Sequence, residues 1–153
     1  MAEFLAGDDL ALRDRLAAES MQQYRSSEAT QLRAWLVSLR CLRAALAGWN
    51  AAAAWRLVLE FPMRRLGRRI DAVLVTPRAV VVLEFKADAT VLAAADRRQV
   101  EDYALDLQDF HAGSRGRVIV PVLVATAARP GAVAWPLAIG GATTVLDASE
   151  ASL

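Results

Sequence analysis

The chain has 153 residues, 18 basic against 17 acidic side chains for a formal net charge of +1, and 56% hydrophobic residues, alanine included. That is one domain's worth of chain, enough to bury a core and too short for two ordinary domains. The apolar content excludes disorder, and a single cysteine, Cys41, excludes a disulfide scaffold.

From about Leu10 to Tyr24 the pattern is loosely helical, and Ser26, Ser27 and Thr30 offer caps for a clearer helix behind it. Leu32, Trp35, Leu36, Leu39, Leu42, Leu46 and Trp49 recur at three- and four-residue spacing and predict one apolar helical face, with Arg33, Arg40 and Arg43 off it. Cys41 on that helix reads as packing. After Asn50 the period changes. Residues 55–61 read as a strand that Pro62 closes, residues 68–75 as a second and residues 80–86 as a third. Thr76-Pro-Arg-Ala79 is a tight turn that makes the last two an antiparallel hairpin. A helix is expected from about Ala93 to Phe110, with Val100, Tyr103, Ala104, Leu107 and Phe110 or His111 on one face, and Gly113 to Gly116 ends it. His111 at its end reads as compensating the helix dipole. Residues 118–124 form a buried strand that Pro121 makes locally irregular or places near an edge, and residues 143–146 a last short strand. Helix, three strands, helix and two strands predict a single α/β domain over 1–153. A helical part at about 10–49 precedes a core at about 53–147 built on a mixed sheet with helices on its faces.

The apolar runs are far shorter than the roughly 20 residues a bilayer span needs, and the N-terminus lacks the basic start and apolar core of a signal peptide. A cytoplasmic protein without a membrane partner is the expectation.

Of the 18 basic residues, 17 are arginine and one, Lys86, is lysine. Few polar residues interrupt the two central strands: Asp71 in the second, and Glu84 and Lys86 flanking Phe85 in the third. Alternation places Glu84 and Lys86 on one face and Phe85 on the other, and the hairpin brings Asp71 alongside Glu84. Burying such charges is costly unless they are paired or hold a metal. An ion pair with Asp71 as a strand cap is the plain alternative. Two carboxylates and the backbone carbonyl of Phe85 are hard oxygen donors suited to Mg²⁺, which polarises a phosphate and acidifies a bound water. Lys86 is suited to orienting or deprotonating that water, or to stabilising charge on the phosphate, because a lysine pKa responds to burial and an arginine's does not.

Asp71 followed thirteen positions later by Glu84-Phe-Lys86 resembles the bipartite motif of the PD-(D/E)XK nucleases, with Arg69-Ile70 where many members carry proline. Gln99-Val-Glu-Asp-Tyr103 resembles the Q-x-x-x-Y motif of the branch attached to helicases, its ends one helical turn apart. Residues 31–126 also resemble the N-terminal domain of an uncharacterised bacterial family in which such a domain precedes a P-loop helicase or ATPase. The resemblance implies a restriction-endonuclease-like fold and Mg²⁺- or Mn²⁺-dependent hydrolysis of DNA phosphodiesters, in repair, processing or defence against foreign DNA. Asp71, Glu84 and the Phe85 carbonyl would hold the metal, Lys86 would serve the water, and Gln99 and Tyr103 would position the site. A helicase or ATPase domain, in the same or a partner chain, is an implied partner. Members carry a further acid on the first helix, where Glu28 is nearest, with Glu60 on the first strand as the other candidate. Arg64, Arg65, Arg68 and Arg69 form a basic turn suited to phosphates or to plain solvation. The competing reading is an inactive module of the same fold that binds nucleic acid or a partner protein; a third is a structural, antitoxin-like domain.

Overall fold

A computed structural model describes residues 1–24, 29–129, 138–139 and 141–153. Helices α1 (Ala2–Ala6), α2 (Asp9–Tyr24) and α3 (Ala29–Ala47) and a 3-10 turn at Asn50–Ala54 lead into the strands β1 (Arg56–Met63), β2 (Arg68–Val75) and β3 (Ala79–Lys86). Helix α4 (Ala94–Phe110) and a 3-10 turn at Ala112–Ser114 then lead to β4 (Val118–Ala125), β5 (Ala138–Ile139), β6 (Ala142–Thr143) and β7 (Leu146–Ser149). The protein is α/β. Its sheet runs β1-β2-β3-β4-β6-β5, with β7 also paired to β4. β1, β2 and β3 form an antiparallel meander, α4 crosses over, and β4 joins β3 in parallel along its whole length.

One cluster packs Val100, Tyr103, Ala104 and Leu107 of α4 against Ile70, Val73, Val80, Val82 and Leu123. On the opposite face Cys41, Leu42 and Leu46 of α3 cover Ala72, Leu74, Leu83, Phe85 and Val124. Each fully buried aliphatic side chain contributes about 1.5–3 kcal/mol, so the sheet is held between two hydrophobic layers and cannot slip register without exposing one. The 76–79 turn forms as its sequence implies: the Thr76 hydroxyl accepts the Ala79 N–H at 2.9 Å.

Several boundaries differ from the sequence expectation. α2 is capped by Asp8, whose carboxylate accepts the Leu10 and Ala11 N–H groups. Thr30 lies inside α3, and Ser26 and Ser27 lie outside the described residues. α3 ends at Ala47, so Trp49 falls beyond it, 59% exposed and tilted against Trp55. Pro62 is inside β1. An edge strand tolerates a missing donor, and β1 is the outermost strand of the meander.

Pro121 is in the interior of the sheet, between β3 and the β6–β7 side. N–H groups alternate sides along a parallel strand. Ile119 donates to Gly141 on the β6 side, so the donor Pro121 lacks would have pointed the same way. There the neighbour of β4 changes from β6, opposite Ile119, to β7, opposite Val122 to Ala125. The irregularity is real and the edge position is not. The predicted strand 143–146 divides between β6 and β7.

Candidate active site

The meander is regular except at one level. β1 and β2 pair from Arg56–Val75 to Leu59–Ala72 and again from Phe61–Ile70 to Met63–Arg68, with the same residue sum on both sides. The position between, Glu60 opposite Asp71, is unpaired. Glu60 has φ 52°, a left-handed conformation that a residue with a long side chain adopts only under constraint. Ile70 and Val73 both reach the α4 cluster although three positions apart, which a regular pleat forbids. The β2–β3 ladder likewise stops at Ala72–Leu83. Asp71 is thereby released from the sheet's pairing beside Glu84, and its Oδ2 accepts the Phe85 N–H at 2.7 Å in place of a strand carbonyl.

Beyond Asp71 the predicted residues meet around Glu84, which is 5% exposed. Its Oε1 accepts from Lys86 Nζ at 3.1 Å and from Gln99 Nε2 at 2.7 Å. The Gln99 amide also reaches the Tyr103 hydroxyl at 2.8 Å through Nε2, and its Oε1 accepts from Lys86 Nζ at 3.3 Å. Glu84 and Lys86 therefore share a face, as alternation requires, and Phe85 packs on the α3 side. Gln99 and Tyr103 stand one turn apart on α4, and Tyr103 is buried in the core below.

The electrostatics of the cluster are those of too many carboxylates in too little water. Burial, and then the neighbouring Glu84 charge, push the Asp71 carboxyl up to about 8, against the lowering effect of the Phe85 N–H. Burial also raises Glu84, with Lys86 opposing it. Glu84 Oε2 is buried with no hydrogen-bond partner. Lys86 is charged in the metal-free chain. Burial does pull its pKa down, but Glu84 and Asp96 more than offset that and leave it above the ordinary lysine value. The ammonium sits 3.2 Å from Asp96 Oδ1 as well as 3.1 Å from Glu84. In the metal-free chain Lys86 is thus held as a cation, an arrangement suited to orienting a water and neutralising phosphate charge.

Among the described residues no group of three or more His, Cys, Asp or Glu side chains is gathered to hold a metal ion. The donors present are the smaller set of two carboxylates, Asp71 and Glu84, of the hard-oxygen kind that Mg²⁺ accepts together with waters. An orphaned, buried carboxylate oxygen and a carboxyl pushed up by burial and by its neighbour's charge are both relieved by a divalent cation, so this donor set fits one.

Two residues that the sequence motifs do not mark belong here. Asp96 lies three before Gln99 on α4, a spacing that puts both on one helix face. Helical periodicity makes Trp35 a core anchor and nothing more, yet a buried indole N–H needs an acceptor, and it donates to Glu60 Oε1 at 2.7 Å. The other Glu60 oxygen pairs with Arg69 at 3.2 Å. Glu60 and Asp71 line one small cavity, of about 70 Å³, together with Trp35 and Ser38 of α3. Of the two extra acids considered, Glu60 is therefore beside the site, and Glu28 lies outside the described residues.

The basic turn divides. Arg65 pairs with Asp106 at 3.0 Å and lies 3.5 Å over the Phe110 ring. Arg69 is committed to Glu60, Arg64 is exposed, and Arg68 lines a cleft with Gln99. His111 is the C-cap residue of α4 and its Nδ1 is 2.9 Å from the Ser114 hydroxyl, outside the cluster's hydrogen bonds. Cys41 is buried, its thiol raised to about 11 chiefly by burial, and is packing. No helix among the described residues is long and apolar enough to cross a membrane.

No family model, curated protein or solved structure matches the chain.

Proposed function

We propose that this chain is a PD-(D/E)XK-type nuclease domain that hydrolyses phosphodiester bonds in DNA with Mg²⁺ or Mn²⁺. The observation that carries the reading is the linking of Asp71, Glu84, Lys86, Gln99 and Tyr103, from two strands and a helix, into one cluster in which Glu84 Oε1 accepts from Lys86 and Gln99 while its buried Oε2 has no protein partner. Ordinary folding does not favour a buried carboxylate oxygen left without a donor. A site that receives a cation does.

In this reading Asp71 and Glu84, with the Phe85 carbonyl, hold the cation. When bound, it supplies Lewis-acid polarisation of the scissile phosphate and a more acidic water. Lys86 Nζ, fixed by Glu84, Asp96 and Gln99, orients the attacking water and offsets charge gathering on the phosphate. Gln99 holds Glu84 and Lys86 in one geometry, and Tyr103 anchors Gln99 from the core. A cytoplasmic setting and a helicase or ATPase partner belong to the same proposal.

The test is incubation of purified protein with plasmid and linear DNA with Mg²⁺, Mn²⁺ or EDTA. Metal-dependent nicking or degradation is expected, lost in Asp71→Ala and Lys86→Ala with the circular-dichroism spectrum unchanged. Cleavage that survives both substitutions overturns the proposal.

One observation favours the second reading, an inactive module that binds nucleic acid or a protein: the Lys86 charge is already shared by two carboxylates. Calorimetry that finds DNA affinity and no Mg²⁺ or Mn²⁺ binding selects that module.

A further inference from the structure

Beside the cluster is an open cleft of about 370 Å³ lined by Arg68, Ala95, Asp96, Arg98, Gln99 and Asp102. It is continuous with the site, because Gln99 bonds Glu84 and Asp96 bonds Lys86. The cleft has two walls of separate origin: Arg68 opens β2, and Arg98 lies in the second turn of α4. Neither arginine has an ion-pair partner among the described residues, in contrast to Arg65, Arg69 and Arg97, which are paired with Asp106, Glu60 and Asp147. Both are exposed. The lining does include acids. Asp96 is paired with Lys86 and Asp102 is one turn from Arg98, so the lining balances two arginines against two acids, and what the cleft offers a phosphate is the two exposed guanidinium groups. The N-terminal end of α4 adds its partial positive charge on the same wall.

We propose that Arg68 and Arg98 hold backbone phosphates of the nucleic acid from the two walls of this cleft, and so place the scissile phosphate at Glu84 and Lys86. The inference rests on the nuclease reading and names its strand-positioning residues. Guanidinium suits this role because it stays charged at any working pH and presents paired donors that match two phosphate oxygens. Arg98 is not part of the basic turn, and of the four arginines in that turn only Arg68 lines the cleft.

The experiment is fluorescence anisotropy of a labelled DNA duplex in EDTA over a series of salt concentrations, with wild type, Arg68→Ala, Arg98→Ala, the double variant, and Arg78→Ala as a charge-matched control on the hairpin turn. Each cleft variant is expected to weaken binding and to reduce the slope of log affinity against log salt by about 0.9, and the double variant by about twice that, one phosphate contact per arginine. The Arg78→Ala protein is expected to match wild type. Wild-type binding that both cleft substitutions leave unchanged, or a loss in Arg78→Ala as large as in the cleft variants, overturns the inference alone. Wild type that does not bind DNA while Mn²⁺ still binds overturns the inference and leaves the cation site standing. Absence of both overturns the nuclease reading with it.

Discussion

Asp71 is the residue at which charge, burial and backbone conflict most directly. Its carboxyl is raised to about 8 in the fold from 3.8. A group raised on folding contributes stability that is present below its unfolded pKa and is lost as pH climbs through the folded value. Metal-free protein is therefore expected to lose stability steadily between about pH 4 and pH 8. Asp71→Asn keeps an acceptor for the Phe85 N–H and removes the ionisation. In EDTA at pH 8 it is expected to be more stable than wild type by about 1–2 kcal/mol, the scale of a poorly compensated buried polar group, and close to wild type at pH 4. Urea unfolding at the two pH values measures it; equal midpoints at pH 8 would show that the Asp71 carboxylate carries no burial penalty. Of the five central residues, Asp71, Glu84 and Lys86 are legible from local rules, pleat alternation and the hairpin, whereas helical spacing puts Gln99 and Tyr103 on one face and only the resemblance to the Q-x-x-x-Y motif assigns them to the site. Asp96 and Trp35 are not legible, since their partners are separated from them by ten residues (Lys86) and twenty-five (Glu60). Part of what holds Lys86 charged is illegible for the same reason, since Asp96 adds to the larger influence of Glu84.

At the scale of elements, the interruption of pairing at Glu60 and Asp71 makes the site, and a helix enforces it. α3 buries Leu39, Leu42 and Leu46 and so fixes Trp35 over β1. The indole then holds Glu60 in a conformation its backbone disfavours. Trp35→Phe keeps most of the ring packing and removes the donor from a largely buried carboxylate, which costs about 1–3 kcal/mol. The urea midpoint is expected to fall accordingly, while Trp49→Phe, an exposed ring beyond the helix, is expected to shift it far less. A Trp35→Phe protein as stable as wild type would mean that the bond contributes nothing net. Sequence periodicity locates α3, α4 and the four long strands, where burial on one or both faces imprints a pattern. It ends β1 too early at Pro62 and leaves Pro121 open between an irregularity and an edge, because a proline's tolerance depends on what lies beside the strand. It also merges β6 with β7, since pieces of two and four residues are too short for alternation to register.

For the whole molecule, the sheet is closed off by apolar layers on both faces, and Asp71 and Glu84 lie at one end of its central strands, near the start of β2 and the end of β3. A divalent cation that binds there binds the folded chain and not the unfolded one, so it stabilises by mass action, about 2.7 kcal/mol at a hundredfold excess over Kd. At about 2–4 °C per kcal/mol for a chain of this size, that is roughly 5–10 °C in Tm. Because a raised carboxyl must give up its proton to become a ligand, the gain is expected to be larger at pH 8 than at pH 5.5. It is expected to vanish in Asp71→Asn and Glu84→Gln, which keep the shape and remove a charged donor. Gln99→Ala, which touches the site only through Glu84, Lys86 and Tyr103, is expected to reduce the gain without abolishing it. Thermal melts with Mn²⁺ against EDTA, on the four proteins at the two pH values, read all of this without reference to cleavage. A shift of equal size in wild type and both carboxylate variants would place the cation elsewhere on the surface and leave the orphaned Glu84 oxygen without a purpose. A shift confined to the intact pair would tie the cost that Asp71 and Glu84 impose on the metal-free fold to the cation they are arranged to receive.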